Sequence, residues 1–227
     1  MDKFLGLPND IPISLGYSCH PSLLISALGR IESKSYERYV FDWLGSPMWG
    51  VCKLIEDNFL DLNTSQYLIN KNHYDNKTEC YVTNTKYNII FAHDYQKNIE
   101  QITQAVFDAT KIKYERRVQR FNEVLSAGVP IIFLRVERDI PGLINFPEDG
   151  ITEPELFYVK KFSILMKDKG VNCKILFFTS SNPTAWDPVN KICSIHYNHI
   201  NSNTFLSEKE LLDLLAQNQE FIKTSFQ

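Results

Sequence analysis

Apolar residues along this chain fall in short runs separated by stretches with helical spacing. Ile11-Pro12-Ile13-Ser14-Leu15 leads into Gly16, and from Pro21 to Leu28 the apolar positions recur at helical intervals until Gly29. That pattern predicts a strand, a tight turn and a helix. Gly45-Ser46-Pro47 predicts the next helix, with Ser46 as its N-cap and Pro47 at its first position. Met48, Val51, Cys52, Leu54 and Ile55 give that helix an apolar face. Between about 60 and 86 the chain turns polar and asparagine-rich, which predicts an irregular insertion with short strands near Tyr67-Leu68-Ile69 and Cys80-Tyr81-Val82.

Tyr87 to Phe91 is again strand-like. It is followed by a long amphipathic stretch from Tyr95 or Ile99 to Ser126, with a break expected near Asp108 to Lys111. Ile131 to Glu137 and Cys173 to Phe178 are continuous apolar runs, typical of strands buried on both faces of a parallel sheet. A helix over Glu153 to Lys169 separates them. Cys193 to Tyr197 predicts a short edge strand, and Glu208 to Phe221 a final helix capped by Ser207. Alternation of strand and helix implies right-handed parallel βαβ units. The expected fold is a single α/β domain over residues 1–227. Its mostly parallel central sheet is flanked by helices, in a Rossmann-like or SGNH-like three-layer arrangement.

Composition narrows the function. With 44% apolar and 22% charged residues, the 227-residue chain can bury a sizeable core. A net charge of -3 offers no basic surface, so a nucleic-acid partner is not expected. The five cysteines are odd in number and none is arranged as CxxC. His73 and Cys80, like His196 and His199, lack ligand spacing, so no metal is expected. Neither a P-loop nor GxGxxG is present, and no cofactor is expected. No apolar run is long enough to span a bilayer, and the first residues lack a signal-peptide core. The reading is a soluble, cytoplasmic protein with free thiols.

Candidate chemistry gathers at four places. Cys19 falls on the strand-to-helix turn, near a helix N-terminus whose unpaired N–H groups and dipole favour a thiolate. A small buried cysteine is the alternative. Asp42 sits between Phe41 and Trp43, either as a site carboxylate, as a cap, or as a group locking the first turn beneath Cys19. His93 and Asp94 end an apolar strand, where a histidine can act as general base or pair with a thiolate. Asp94 points to the opposite face, where it can cap the following segment. Arg116, Arg117 and Arg120 form a basic ridge suited to a solvated face, or to a phosphate or carboxylate. Arg135 interrupts an apolar strand and needs a partner.

Taken together, Ser14-Leu15-Gly16-Tyr17-Ser18-Cys19, Phe41-Asp42-Trp43, Phe91-Ala92-His93-Asp94 and the Arg116 to Phe121 ridge resemble a largely uncharacterised bacterial and viral family described as papain-like cysteine peptidases. The resemblance covers about the first 135 residues and makes a papain-like α+β layout the alternative fold. It implies Cys19 as nucleophile and His93 as base, with Asp42 or Asp94 orienting the imidazole. Tyr17, Ser18, Trp43, Arg116 and Arg120 are the expected substrate-binding side chains. The leading expectation is a thiol-dependent hydrolase or acyl-transfer enzyme acting on an amide or ester in a peptide, glycan or small molecule. The alternative is a glycan- or nucleotide-sugar-binding module, or a glycan-processing transferase. In that alternative Cys19, Asp42 and His93 form a structural polar cluster, with Trp43 and Trp49 available to stack on sugars.

Overall fold

The computed structural model describes residues 10–17, 19–72, 80–91, 93–95, 102–137, 153–198 and 206–227. The apolar runs form a five-stranded sheet. In it β1 (Ile11–Ser14), β6 (Ile131–Val136), β7 (Cys173–Thr179) and β9 (Ile192–His196) lie parallel in that order. β8 (Ala185–Asp187) closes one edge, antiparallel to β9. Alternate residues of the central strands face opposite layers. Phe133, Ile175 and Phe177 pack toward α2 (Met48–Glu56), α3 (Gln104–Ser126) and α4 (Glu155–Asp168). Leu134, Val136, Leu176 and Phe178 pack toward α1 (His20–Glu32), α5 (Glu208–Gln217) and α6 (Gln219–Phe226). This is the expected three-layer α/β arrangement.

A second, antiparallel sheet was not foreseen as such. Its order is β2 (Leu44–Gly45), β5 (Ile89–Phe91), β4 (Cys80–Asn84) and β3 (Leu68–Asn72). The polar stretch between about 60 and 86, expected to be irregular, thus supplies a paired hairpin to this sheet. Asn84 is fully buried here and donates to the carbonyls of Asp61 (2.7 Å) and Leu62 (3.0 Å), so part of the asparagine content serves as backbone partners.

Three local expectations change. α3 runs unbroken from Gln104, with Thr103 as N-cap accepting from the Val106 N–H, and no break occurs near Asp108. The last helix is two, α5 and α6, divided at Asn218; Ser207 and Glu210 form a reciprocal capping box at its start. Ser46 does not cap α2: Pro47 occupies that position in extended backbone. The Ser46 hydroxyl instead accepts from the Tyr17 N–H (3.0 Å) and donates to the Leu15 carbonyl (3.1 Å), fastening the turn after β1.

Arg135, fully buried in β6, finds the partner its sequence position demanded. Its Nε donates to Glu155 Oε1 at 2.6 Å, and Nη1 donates to the carbonyls of Leu15 (2.9 Å) and Ser46 (2.7 Å). Removing the guanidinium would take the ion-pair partner from a mostly buried Glu155 and the donors from two carbonyls. We expect Arg135→Met to lower unfolding free energy by about 3–5 kcal/mol in urea titrations. The double variant Arg135→Met/Glu155→Leu should recover part of that loss, because the carboxylate deprived of its arginine is then gone.

Candidate functional site

Four parallel strands end at one rim of the large sheet, the usual place for ligands in open α/β sheets. The chain leaves β1 there through two successive left-handed residues, Gly16 (φ 73°) and Tyr17 (φ 82°). A Cβ on Gly16 would lie 2.0 Å from Ser46 Oγ, so this position needs glycine for space as well as for backbone angle. Tyr17 is buried, with its ring 5.6 Å from the Arg135 guanidinium. Ser18, one of the expected substrate contacts, lies outside the described residues. Cys19 follows as the N-cap of α1 and is half-buried.

The thiol does not have the depressed pKa expected from a helix N-terminus. Burial pushes it up, and a hydrogen bond from its own backbone N–H offsets this only in part. Pro21 in the first turn of α1 removes one of the N–H groups that would otherwise face an anion. Among the described residues no hydrogen bond joins Cys19 to His93. The resting thiol is therefore protonated at neutral pH.

Asp42 is buried and locks the first turn of α1. Its Oδ1 accepts from Ser22 Oγ at 2.7 Å and its Oδ2 from the Tyr39 N–H at 2.8 Å, while Arg117, itself buried, donates to the Asp42 carbonyl at 3.1 Å. Burial raises the Asp42 pKa, opposed by Ser22, the Tyr39 N–H and the charges of Arg117 and Arg38. Asp94 is equally occupied: it pairs with Lys113 and accepts from Tyr114 Oη at 2.7 Å, both on α3. Among the described residues neither carboxylate bonds to His93, so neither holds the imidazole as the family resemblance suggested. His93 is exposed and meets Trp43 edge to face, with ring centroids 5.5 Å apart. Trp43 itself sits at φ 67°, directly after Asp42.

The structure links Ser22 to Asp42 by a hydrogen bond and Trp43 to His93 by a ring contact, and Cys19 opens the same first turn of α1 that carries Ser22. It does not assemble the basic ridge. Arg120 pairs with Glu37, Arg117 is buried behind Asp42, and Arg116 is exposed with no ion pair among the described residues.

Several contributors escaped the sequence reading. Ser22 follows Cys19 by three residues, one helical turn, and that spacing was the available signal. Glu137 ends β6 at the same rim; it is buried and accepts from Thr179 Oγ1 (2.6 Å) and from the N–H groups of Ser180 (2.8 Å) and Ser181 (3.0 Å). An acid closing an otherwise apolar strand was its only signal. Among the described residues there is no group of three His, Cys, Asp or Glu side chains able to hold a metal ion, and no helix long and apolar enough to cross a membrane.

Comparison with known proteins places this site within a matched stretch. A family model described as "Putative papain-like cysteine peptidase (DUF1796)" matches residues 10–141, from the start of β1 to just beyond β6. An uncharacterised protein of Acanthamoeba polyphaga mimivirus is 27% identical over 144 residues, which cover 55% of this chain and 60% of that protein. The chain therefore matches less than two thirds of that relative's length. No solved structure matches the chain.

Two outcomes follow from this geometry. Alkylation of Cys19 by iodoacetamide, followed by peptide mass spectrometry in the ligand-free chain, should have its pH midpoint above that of an ordinary thiol. Ser22→Ala should lower stability by about 2 kcal/mol at neutral pH, the scale of a lost hydrogen bond to a buried charge. Without Ser22 the Asp42 pKa rises further, so the deficit should shrink as acid protonates Asp42 and grow as pH rises past that point. Urea unfolding across the acid range checks both magnitude and sign.

Proposed function

The chain belongs to the putative papain-like cysteine peptidase family, and from that premise we propose that it is a thiol-dependent acyl-transfer hydrolase with Cys19 as nucleophile. One observation carries the reading. Cys19 sits half-exposed at the rim of the parallel sheet, two residues after the left-handed Gly16–Tyr17 pair, at the start of a helix whose first turn is fixed by the Ser22–Asp42 hydrogen bond. A nucleophile on a strand-to-helix turn is held at the sheet edge with backbone N–H donors beside it, and such donors stabilise an oxyanion.

In this reading the thiol rests neutral and is activated only when substrate is bound. His93 takes the Cys19 proton as sulfur attacks the carbonyl carbon, giving a tetrahedral oxyanion beside the first turn of α1. Collapse breaks the bond to the amine or alcohol, which leaves with the proton from His93. Water, deprotonated by His93, then attacks the thioester, and the acid product departs as the proton returns to Cys19. Trp43 positions the imidazole, while Asp42 holds the turn that carries Trp43. This dyad differs from a preformed thiolate–imidazolium pair, because burial of Cys19 disfavours the thiolate until a substrate carbonyl receives the charge.

A second reading, a binding module with a structural Cys19–Asp42–His93 cluster, is favoured by the same protonated thiol and by the missing Cys19–His93 hydrogen bond. The experiment that separates them is a screen of activated esters and fluorogenic amides, with intact-mass detection of an acyl adduct on Cys19. Cys19→Ala should abolish turnover with the circular dichroism spectrum unchanged, and His93→Ala should slow acylation about 10²–10⁴-fold. Undiminished turnover by Cys19→Ala would sink the hydrolase reading.

A further inference from the structure

A cleft of about 330 Å³ runs between the outer face of α1 and residues 34–43, at the small end of the range for ligand pockets. It is separate from a larger groove between α3 and the residues after α2, which contains no side chain of the candidate site. Its inner wall holds Ser22 and Asp42, one helical turn from Cys19. Its mouth holds Trp43, whose ring meets His93. A substrate reaching Cys19 would therefore have this cleft beside its reacting carbonyl.

The closed end of the cleft is built by a helix stop. Ser33 adopts left-handed backbone after α1, and the Lys34 N–H donates to the Gly29 carbonyl at 2.8 Å. A Cβ on Gly29 would stand 2.7 Å from the Lys34 carbonyl oxygen, so glycine lets the two walls close together.

Charge is distributed unevenly over its walls. Both acids that line it are satisfied from elsewhere: Glu37 pairs with Arg120, and Asp42 is capped by Ser22 and the Tyr39 N–H. Of the three lining cations, Arg30 pairs with Glu208 at 2.6 Å and Lys34 with Glu32 at 2.8 Å, both at exposed positions. Arg38 differs from these two. Among the described residues it has no carboxylate within ion-pairing distance; its charge acts on Asp42 only through space, and its guanidinium stands 5.8 Å from the centre of the Trp43 ring. The planar fork of a guanidinium matches the oxygens of a carboxylate or phosphate.

We propose that this cleft binds a carboxylate or phosphate group of the substrate, with Arg38 as its principal partner, so that the acyl substrate is acidic. The inference rests on the reading of Cys19 as the nucleophile for its placement beside the reaction, but the anion site itself is tested separately. Arg38 forks onto the anion, Arg30 and Lys34 add positive potential at the rim, and Trp43 packs against the body of the substrate.

The 227-residue chain, isotopically labelled, is titrated with inorganic phosphate and with acetate, with acetamide as the neutral control. Saturable shifts of the backbone amides of Ser26, Arg38 and Trp43 are expected for an anion and none for acetamide. Arg38→Met should weaken anion binding about tenfold, while Cys19→Ala should bind as the unmodified chain does. Tighter phosphate assigns a phosphate-bearing substrate, tighter acetate a carboxylate-bearing one, and either supports the proposal. Non-saturating shifts, or equal binding by Arg38→Met, overturn it. If phosphate saturates the cleft while Cys19→Ala keeps full turnover, the thiol reading fails and the anion site stands. If no anion binds while Cys19→Ala is inactive, the anion site fails and the thiol reading stands.

Discussion

One buried cation holds the candidate site in place. Arg135 lies in the middle of the parallel sheet with no access to water, and its charge is compensated by Glu155 at the start of α4. Its Nη1 donates to the carbonyls of Leu15 and Ser46, which belong to the turn after β1 and to the residue before α2. A buried ion pair adds little net stability by itself, but breaking it is severe because a charge is left behind. The guanidinium thus acts less as a source of stability than as a condition on geometry. The turn preceding Cys19, the approach to α2 and the start of α4 can meet only where all three satisfy Arg135.

The chemical character of Cys19 follows from the same burial. A thiol at a helix N-terminus gains from the dipole, yet the gain falls off within the first turn and weakens when a proline there removes one N–H donor. Here desolvation outweighs it. The consequence reaches beyond reactivity at rest: a protonated thiol is less prone to oxidation and adventitious alkylation than a thiolate. In the proposed reading His93 supplies the base, and its edge-on contact with Trp43, 5.5 Å between ring centroids, fixes the imidazole less firmly than a carboxylate hydrogen bond would.

Much of the fold was legible in the sequence, and the legible parts share a physical cause. Continuous apolar runs such as Ile131 to Val136 and Cys173 to Phe178 report strands buried on both faces, and the amphipathic stretches between them report the covering helices. The antiparallel sheet was harder to read because β2 has only two residues and β3 lies in polar sequence. Within the site, Cys19, Asp42 and His93 stood out by residue type and position. Their partners did not, because a hydroxyl such as Ser46 carries no local sign of whether it caps its own helix or bonds across 29 residues to Tyr17. The arginine ridge needed the tertiary structure for a related reason. Helical spacing places Arg116, Arg117 and Arg120 near one another, but only the fold reveals that Arg117 turns inward to the Asp42 carbonyl while Arg120 pairs with Glu37 at the surface.

Backbone strain at the turn gives an independent argument that the position of Cys19 matters. A residue other than glycine in the left-handed region is disfavoured by about 1–2 kcal/mol, and Tyr17 occupies it immediately after Gly16, which does so as well. A relaxed turn would leave β1 without this penalty. The strain is offset by a set of contacts made only in this geometry: the Tyr17 N–H to Ser46, the Gly16 N–H to Ser14 Oγ at 3.0 Å, and the Tyr17 ring over Arg135. Such over-determined backbone is concentrated at functional sites in proteins. In this chain the strained pair is separated from the thiol by one residue, and the Ser22–Asp42 lock follows one turn later. The two restraints bracket Cys19 in sequence and fix both its approach from β1 and its departure along α1.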